Sequence, residues 1–417
     1  MPSIGPLLLS DARILAAYLI FLGSYVVFAL GKFPWMKIDR PGAAIIGAVM
    51  MVAFRIVGAR EALASIDFAT IVLLFSMMLV VGNLRLAGFF DWLTERIIGR
   101  LHPQHLLPTI IFTSGLFSAF LVNDIVCLVM TPLALHMARR FGLPPVPYVL
   151  AVATASNIGS TATITGNPQN MLIGSLSGIS YVDFFAHLGP VAIVGLFANW
   201  ILLNRLYLPG PIDRVRVAQV LTAPEFHHER LRRKPVVVLM IVLAGFLAGV
   251  PAAMMAALGA ALLLITRTVD PRTMYDKVDW GLLVFFLGLF IIVGGADRAG
   301  LTGTLLRPVA RWNLHRLPIF VSATAVLCNI VSNVPAVMLL RTVVSSFPDP
   351  HTGWLALAMS STLAGNLTIT GSVANIIVVE RAAAEDVHVS FREYVRVGLP
   401  VTLLTLTIGS LWLWLLP

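Results

Sequence analysis

Charge is scarce in this chain: only 12% of its 417 residues are Asp, Glu, Lys or Arg. A soluble domain carries about 25%, so an ordinary soluble enzyme is excluded. Cysteine is nearly absent, and Cys127 and Cys328 both sit inside apolar runs, which leaves no disulfide framework or cysteine metal motif. No G-x-x-x-x-G-K-S/T phosphate loop occurs, and none of the nine histidines falls in H-E-x-x-H or another metal spacing. An ATP-driven pump acting alone therefore finds no support. Paired acids or a Ser/His arrangement for an intramembrane enzyme are also missing.

What is abundant is apolar surface, with 58% hydrophobic residues and a mean hydropathy of +0.90. About 20 apolar residues cross a bilayer core. Runs near that length fall at 14–31, 42–59, 68–84, 186–207, 235–250, 252–267, 280–296 and 397–416, eight plain spans. Two stretches, 107–137 and 317–345, are too long for one span and predict re-entrant hairpins. Two more, 147–178 and 353–379, are broken by Gly, Pro, Asn, Ser and Thr. Non-helical backbone at that depth must be buried in protein or line a watery cavity, so these read as broken spans. The first apolar run lacks a basic leader and a cleavage site, so it is expected to stay as a span.

The net charge of +9 would suggest nucleic acid on a soluble protein. Here it is expected to mark cytoplasmic loops, with no nucleic-acid partner. Placing 208–234 in the cytoplasm puts 20 of the 29 basic residues on that side and seven outside, with Arg55 and Arg205 left near span ends to snorkel. Both termini are then outside.

The chain repeats itself. Asp67, Val72, Val81, Gly82, Ala87 and Gly88 recur 212 residues later, Asn123 answers Asn333, TITGNPQN (163–170) answers TITGSVAN (368–375), and Pro190 answers Pro400. An odd number of crossings per copy turns the second upside down. The expected fold is an all-α polytopic membrane protein of two inverted repeats, each five spans plus one re-entrant hairpin, with broken helices at the midplane. The expected divisions are 1–207, a cytoplasmic linker 208–234, and 235–417. In such folds, substrate and ions bind where broken helices of both repeats meet.

Candidate site residues follow. Asn123 and Asn333 at the hairpin tips offer donors and an acceptor for an ion or oxyanion, or else cap the turn. In the first broken span they are Ser156, Asn157, Thr163, Thr165, Gly166, Asn167 and Asn170. In the second they are Asn366, Thr368, Thr370, Gly371 and Asn375, and Ser332 precedes the second tip. Helix packing through small polar residues is the alternative. Asp124 stands alone as a carboxylate near the middle of an apolar segment, a candidate for coupling to a proton or sodium ion, or an N-cap. Asp67 and Asp279 are expected to be helix-start acids without function.

NDIVCLVMTPL (123–133), ATASNIGSTATITGNPQNMLI (153–173), VSNVPAVMLL (331–340) and TITGSVANIIV (368–378) resemble the ion transporter superfamily. That superfamily includes arsenite efflux permeases, divalent anion/sodium symporters, citrate carriers and sodium/proton antiporters, and the likeness is closest to the bacterial arsenite-permease-like branch. The symporters read S-N-T at both tips, where polar side chains hold carboxylates and sodium. Here the positions are Val122, Asn123, Asp124 and Ser332, Asn333, Val334. The resemblance implies a homodimer, a scaffold and a moving transport domain, in the bacterial inner membrane, with no cofactor and a cytoplasmic ATPase partner left open. The expected activity is alternating-access secondary transport of a small inorganic or organic anion or oxyacid. A sodium/proton or metal-ion antiporter is the alternative, and an intramembrane enzyme or receptor a remote one.

Overall fold

The computed structural model describes residues 11–31, 37–90, 92, 102–207, 229–265, 270–301, 304 and 313–415. The described residues form helices and the loops between them. The first half runs α1 (Asp11–Leu30), α2 (Arg40–Ala53), α3 (Ala59–Ala64), α4 (Phe68–Leu86), α5 (Leu106–Phe120), α6 (Asn123–Arg140), α7 (Val146–Ser160), α8 (Pro168–Ser177) and α9 (Tyr181–Tyr207). The second half gives the same order: α10 (Glu229–Leu247), α11 (Ala252–Leu264), α12 (Pro271–Tyr275), α13 (Trp280–Arg298), α14 (Leu317–Val331), α15 (Asn333–Val344), α16 (Pro350–Leu363), α17 (Val373–Ala383) and α18 (Phe391–Leu415).

Repeated residues build repeated local structure. Asp67 Oδ1 accepts from the Thr70 amide at 2.7 Å, and Asp279 Oδ1 from the Leu282 amide at 2.9 Å, so both acids are N-caps. Gly88 and Gly300 end α4 and α13 at φ 66° and 72°, a conformation an L side chain resists. Both long apolar stretches break where expected, α5 from α6 at Leu121–Val122 and α14 from α15 at Ser332. The broken spans carry matching 3-10 turns at Ile164–Gly166 and Ile369–Gly371.

Among the described residues, five helices, α1, α4, α9, α13 and α18, are long and apolar enough to cross a membrane. Leu15, Leu19, Leu22, Val26 and Leu30 make one exposed apolar stripe along α1, a surface suited to lipid rather than water. Three plain spans differ from expectation. α2 and α11 have 14 and 13 residues, about 21 Å or less, short of the roughly 30 Å hydrocarbon core. α10 starts at Glu229 and takes Arg230 to Lys234 into its first turns, so the linker's last residues are helical. Residues 208–228, the rest of that linker, lie outside the described residues, as do 93–101 and 305–312 in two predicted loops. Arg55 is not in a span: it follows α2 at φ 54° and is exposed.

Contacts between the halves come in reciprocal pairs. α2 packs on α13 while its counterpart α11 packs on α4; α6 meets α17 while α15 meets α8. The equivalent helices α9 and α18 pack on each other. Helices at equivalent places in the two halves thus exchange partners.

Candidate substrate and ion site

Every residue of α7 from Pro147 to Ser160 is buried, which explains how a helix carrying Ser156, Asn157 and Ser160 survives inside an apolar protein. These three side chains find partners. Asn157 Nδ2 donates to Asn366 Oδ1 at 3.0 Å and to Asn375 Oδ1 at 2.9 Å. Its Oδ1 accepts from Ser372 Oγ at 3.1 Å and Asn123 Nδ2 at 3.4 Å. From the other half, Thr362 Oγ1 donates to Asn170 Oδ1 at 3.2 Å. Asn157 and Thr362 are 205 residues apart, as are Asn170 and Asn375, so the two contacts are one contact with the halves exchanged.

The breaks are braced identically. Asn170 Nδ2 donates to the carbonyls of Ser160 and Thr163 at 3.0 and 3.1 Å; Asn375 Nδ2 donates to those of Gly365 and Thr368 at 2.6 and 3.0 Å. A Cβ on Gly166 would lie 2.2 Å from the Ser160 carbonyl oxygen, and one on Gly371 would lie 2.9 Å from that of Gly365. These glycines let the chain fold back on itself. Asn167 Oδ1 caps α8 through the Asn170 amide at 2.9 Å. Thr163 donates to the Ala119 carbonyl and approaches Thr165, which pairs with Tyr181 at 2.9 Å. Thr368 donates to Asn329 at 3.1 Å, and Thr370 is exposed.

Inside this frame lies a cavity of about 320 Å³. Of the candidates, Asn123, Asp124, Ser332 and Asn333 line it, so the two hairpin tips meet there. Ser156, Asn157, Thr163, Thr165, Gly166, Asn167, Asn170, Asn366, Thr368, Thr370, Gly371 and Asn375 stand behind the wall or away from it. The wall also includes Pro168, Gln169, Ser372 and Val373, the apolar Leu282, Phe285 and Val334, and Asp39, Arg40 and Asp279 from the starts of α2 and α13. Six helices, α2, α6, α8, α13, α15 and α17, thus present their N-terminal ends to one space.

Neither tip asparagine caps its helix, because Val122 and Ser332 occupy the N-cap positions. The amide of Asn333, oriented so that both ends are satisfied, donates to the carbonyls of Gly371 and Ser361 at 3.2 Å and accepts from Gln169 Nε2 at 3.3 Å. Asn123 Oδ1 is different: it is buried, and among the described residues it has no hydrogen-bond partner. Asp124 lies in the first turn of α6 but does not cap it. Ser332 holds φ 77° and ψ 161°, a region costing a non-glycine residue about 1–3 kcal/mol. Arg40 Nε donates to the Phe28 carbonyl at 3.0 Å, and Asp39 Oδ1 caps α2 through the Gly42 amide at 2.9 Å.

Sequence reasoning missed Asp39 and Arg40, which sit in a polar loop without periodic signal. Asp279 was visible as a repeat of Asp67, and it does cap its helix, but only the packing of α13 reveals that it also faces the tips.

A family described as citrate transporter, CitMHS, matches residues 25–359. A 46 kDa membrane protein of Mycobacterium leprae (strain TN) is 30% identical over 424 residues, covering 96% of this chain and 98% of its own. A silicon efflux transporter of Oryza sativa subsp. japonica is 31% identical over 449 residues, covering 90% of this chain and 92% of its own. Among solved structures, the Alcanivorax borkumensis YdaH transporter superposes with a TM-score of 0.57 at 15% identity, covering 96% of each chain. That likeness carries the fold alone.

Proposed function

Since this chain belongs to the CitMHS citrate transporter family and is a multi-pass integral membrane protein, we propose that it moves a small anion or oxyacid by ion-coupled alternating access, with the tip cavity as the binding site. The observation that carries this reading is the convergence of six helix N-termini on about 320 Å³ lined by two asparagine amides. Each terminus holds roughly half a positive charge, about +3 together, to which Arg40 adds one. Three carboxylates, Asp39, Asp124 and Asp279, bring the balance back to about +1. A monoanion or a neutral oxyacid fits that field directly. A di- or trianion must bring protons or sodium with it, which is a physical reason for coupling. The unpartnered Asn123 Oδ1 would accept from a substrate hydroxyl or ligate sodium.

Two relations complete the proposal. The halves are inverted in the bilayer, and with 208–234 in the cytoplasm the starts of α2 and α13 are cytoplasmic, so the cavity opens inward. A cation antiporter is the second reading, favoured by three carboxylates around the cavity in place of one.

Proteoliposome flux tests both. Arsenite, silicic acid, phosphate, sulfate, succinate and citrate are compared under imposed sodium and proton gradients. The proposal expects one class to accumulate with a coupling ion. Cation exchange that proceeds without any of them supports the antiporter; no flux or counterflow of any kind overturns both.

A further inference from the structure

Away from the cavity, α9 and α16 bring together three groups with a different chemistry. Asp183 and His187 lie one turn apart on α9, so they share a face. His351 lies in the first turn of α16, from the other half. Their ligand atoms all fall within 4.8 Å of one another. His187 Nδ1 is 3.1 Å from Asp183 Oδ1, and His351 Nε2 is 2.7 Å from Asp183 Oδ2. The carboxylate therefore stands between two imidazoles, whose rings are 5.1 Å apart and inclined at 74°.

We propose that Asp183, His187 and His351 form a surface site for a divalent transition-metal ion of the zinc type. Two imidazoles and one carboxylate are a borderline-soft donor set that suits zinc, nickel or copper rather than calcium or magnesium. Zinc–nitrogen and zinc–oxygen bonds near 2.1 Å set neighbouring ligands of a tetrahedron about 3.4 Å apart. The present spacings reach that by small side-chain rotations. The backbone under the ligands is fixed: the His187 carbonyl accepts from Trp412 Nε1 at 2.8 Å, and Asp349 holds the His351 amide at 3.1 Å. All three side chains are partly exposed, so water can supply a fourth ligand. His187 Nδ1, now 2.8 Å from the Asp183 carbonyl oxygen, would give up its proton there on binding. The sequence hides this site because its ligands come from two helices 164 residues apart rather than from one spacing.

An ion here ties α9 of the first half to α16 of the second, close to the end of α18. The site does not rest on the transport reading.

The test uses the purified full-length protein, stripped of metal, titrated with zinc chloride by calorimetry and with cobalt(II) by visible absorption. One equivalent per chain is expected, with a tetrahedral cobalt spectrum and a rise in melting temperature as zinc increases. His187→Gln and His351→Gln should each weaken zinc at least tenfold and lose the zinc-dependent rise. His351→Cys should keep the site and add a thiolate-to-cobalt charge-transfer band, which decides the matter should a glutamine variant fail to fold. No equivalent bound at micromolar zinc, or glutamine variants that bind as tightly as the parent, overturns the proposal.

Discussion

Asn157 uses its whole hydrogen-bonding capacity, giving two bonds and accepting two, and three of the four cross to the other half while the fourth comes from Asn123 in its own. Asn157→Leu leaves Asn123, Asn366, Asn375 and Ser372 short of a partner, at about 1–3 kcal/mol for each group that stays buried and unpaired. A marked fall in melting temperature in detergent is expected. Thr362→Val, which breaks the exchanged contact, should cost less: it orphans Asn170 Oδ1, whereas the Asn167 and Gln169 amides that also donate to Thr362 Oγ1, at 3.2 and 3.4 Å, keep bonds to Ser160 and Asn333. A double-mutant cycle of Asn157→Ala with Asn375→Ala checks the pairing, with a coupling energy of about 0.5–3 kcal/mol expected; additive losses would sink it. Asp124 calls for a different experiment. No hydrogen bond or ion pair reaches its carboxylate among the described residues, so Asp124→Asn removes charge while keeping shape. Folding and some substrate binding should persist, and the response of flux to the driving gradient should disappear. Normal gradient dependence in that variant would place coupling elsewhere. The sequence marked the polar stretches but not the division of labour inside them. A 3-10 turn at Ile164–Gly166 sends Thr163 and Thr165 towards α5 and Tyr181 while Gln169 reaches the cavity wall. Nothing in residue type distinguishes these directions.

Helix starts and hairpin breaks were the most legible elements because they follow from local chemistry: Asp67 and Asp279 as helix-start acids, and the turns beside Asn123 and Asn333 between two apolar runs. The lengths of α2 and α11 were not legible. Their apolar runs extend beyond the helices, and only tertiary packing decides where the backbone stops winding. At the second tip, Ser332→Gly relieves the φ 77° strain at a small entropic cost in the unfolded chain. A raised melting temperature is expected; an unchanged one would mean that the serine side chain offsets its own strain. At the end of α13, the Arg298 guanidinium beside Glu61, together with the Gly58 amide, holds the Glu61 carboxyl below its usual range. A depressed folded value means this stabilisation is present above the unfolded pKa of about 4.3 and is lost as pH falls through the lower folded value. The melting-temperature difference between the parent and Glu61→Gln should therefore be constant above about pH 5 and shrink under more acid conditions. A difference that grows on acidification would reverse the sign and remove the ion pair as its cause.

At the scale of the whole molecule, the repeat was legible and the asymmetry between its copies was not. α4 and α13 are equivalent helices, yet they meet different parts of their broken partners. Asp67 accepts from Ser175 Oγ at 2.8 Å, near the C-terminal end of α8. Asp279 lines the cavity with Ser372 and Val373, at the start of α17. Ala69 and Leu73, the counterparts of Gly281 and Phe285, line a second space of about 400 Å³ against Met171 and Gly174. If the halves are interchangeable, exchanging their environments describes a second state of the same molecule. In it Asp67 lies at the start of α8 near the tips, and Asp279 lies beside Glu380, the counterpart of Ser175. The shift is seven residues along a helix, about 10 Å, and it would open the tip cavity to the other side of the membrane. Paired cysteines read the two states. Asp67→Cys with Ser175→Cys should cross-link in the inward-open state, and Asp279→Cys with Glu380→Cys in the outward-open one. Each cross-link should stop flux, and conditions that increase one should decrease the other. Two pairs that form together to full extent, or a cross-linked protein that still turns over, would rule out this exchange as the transport motion.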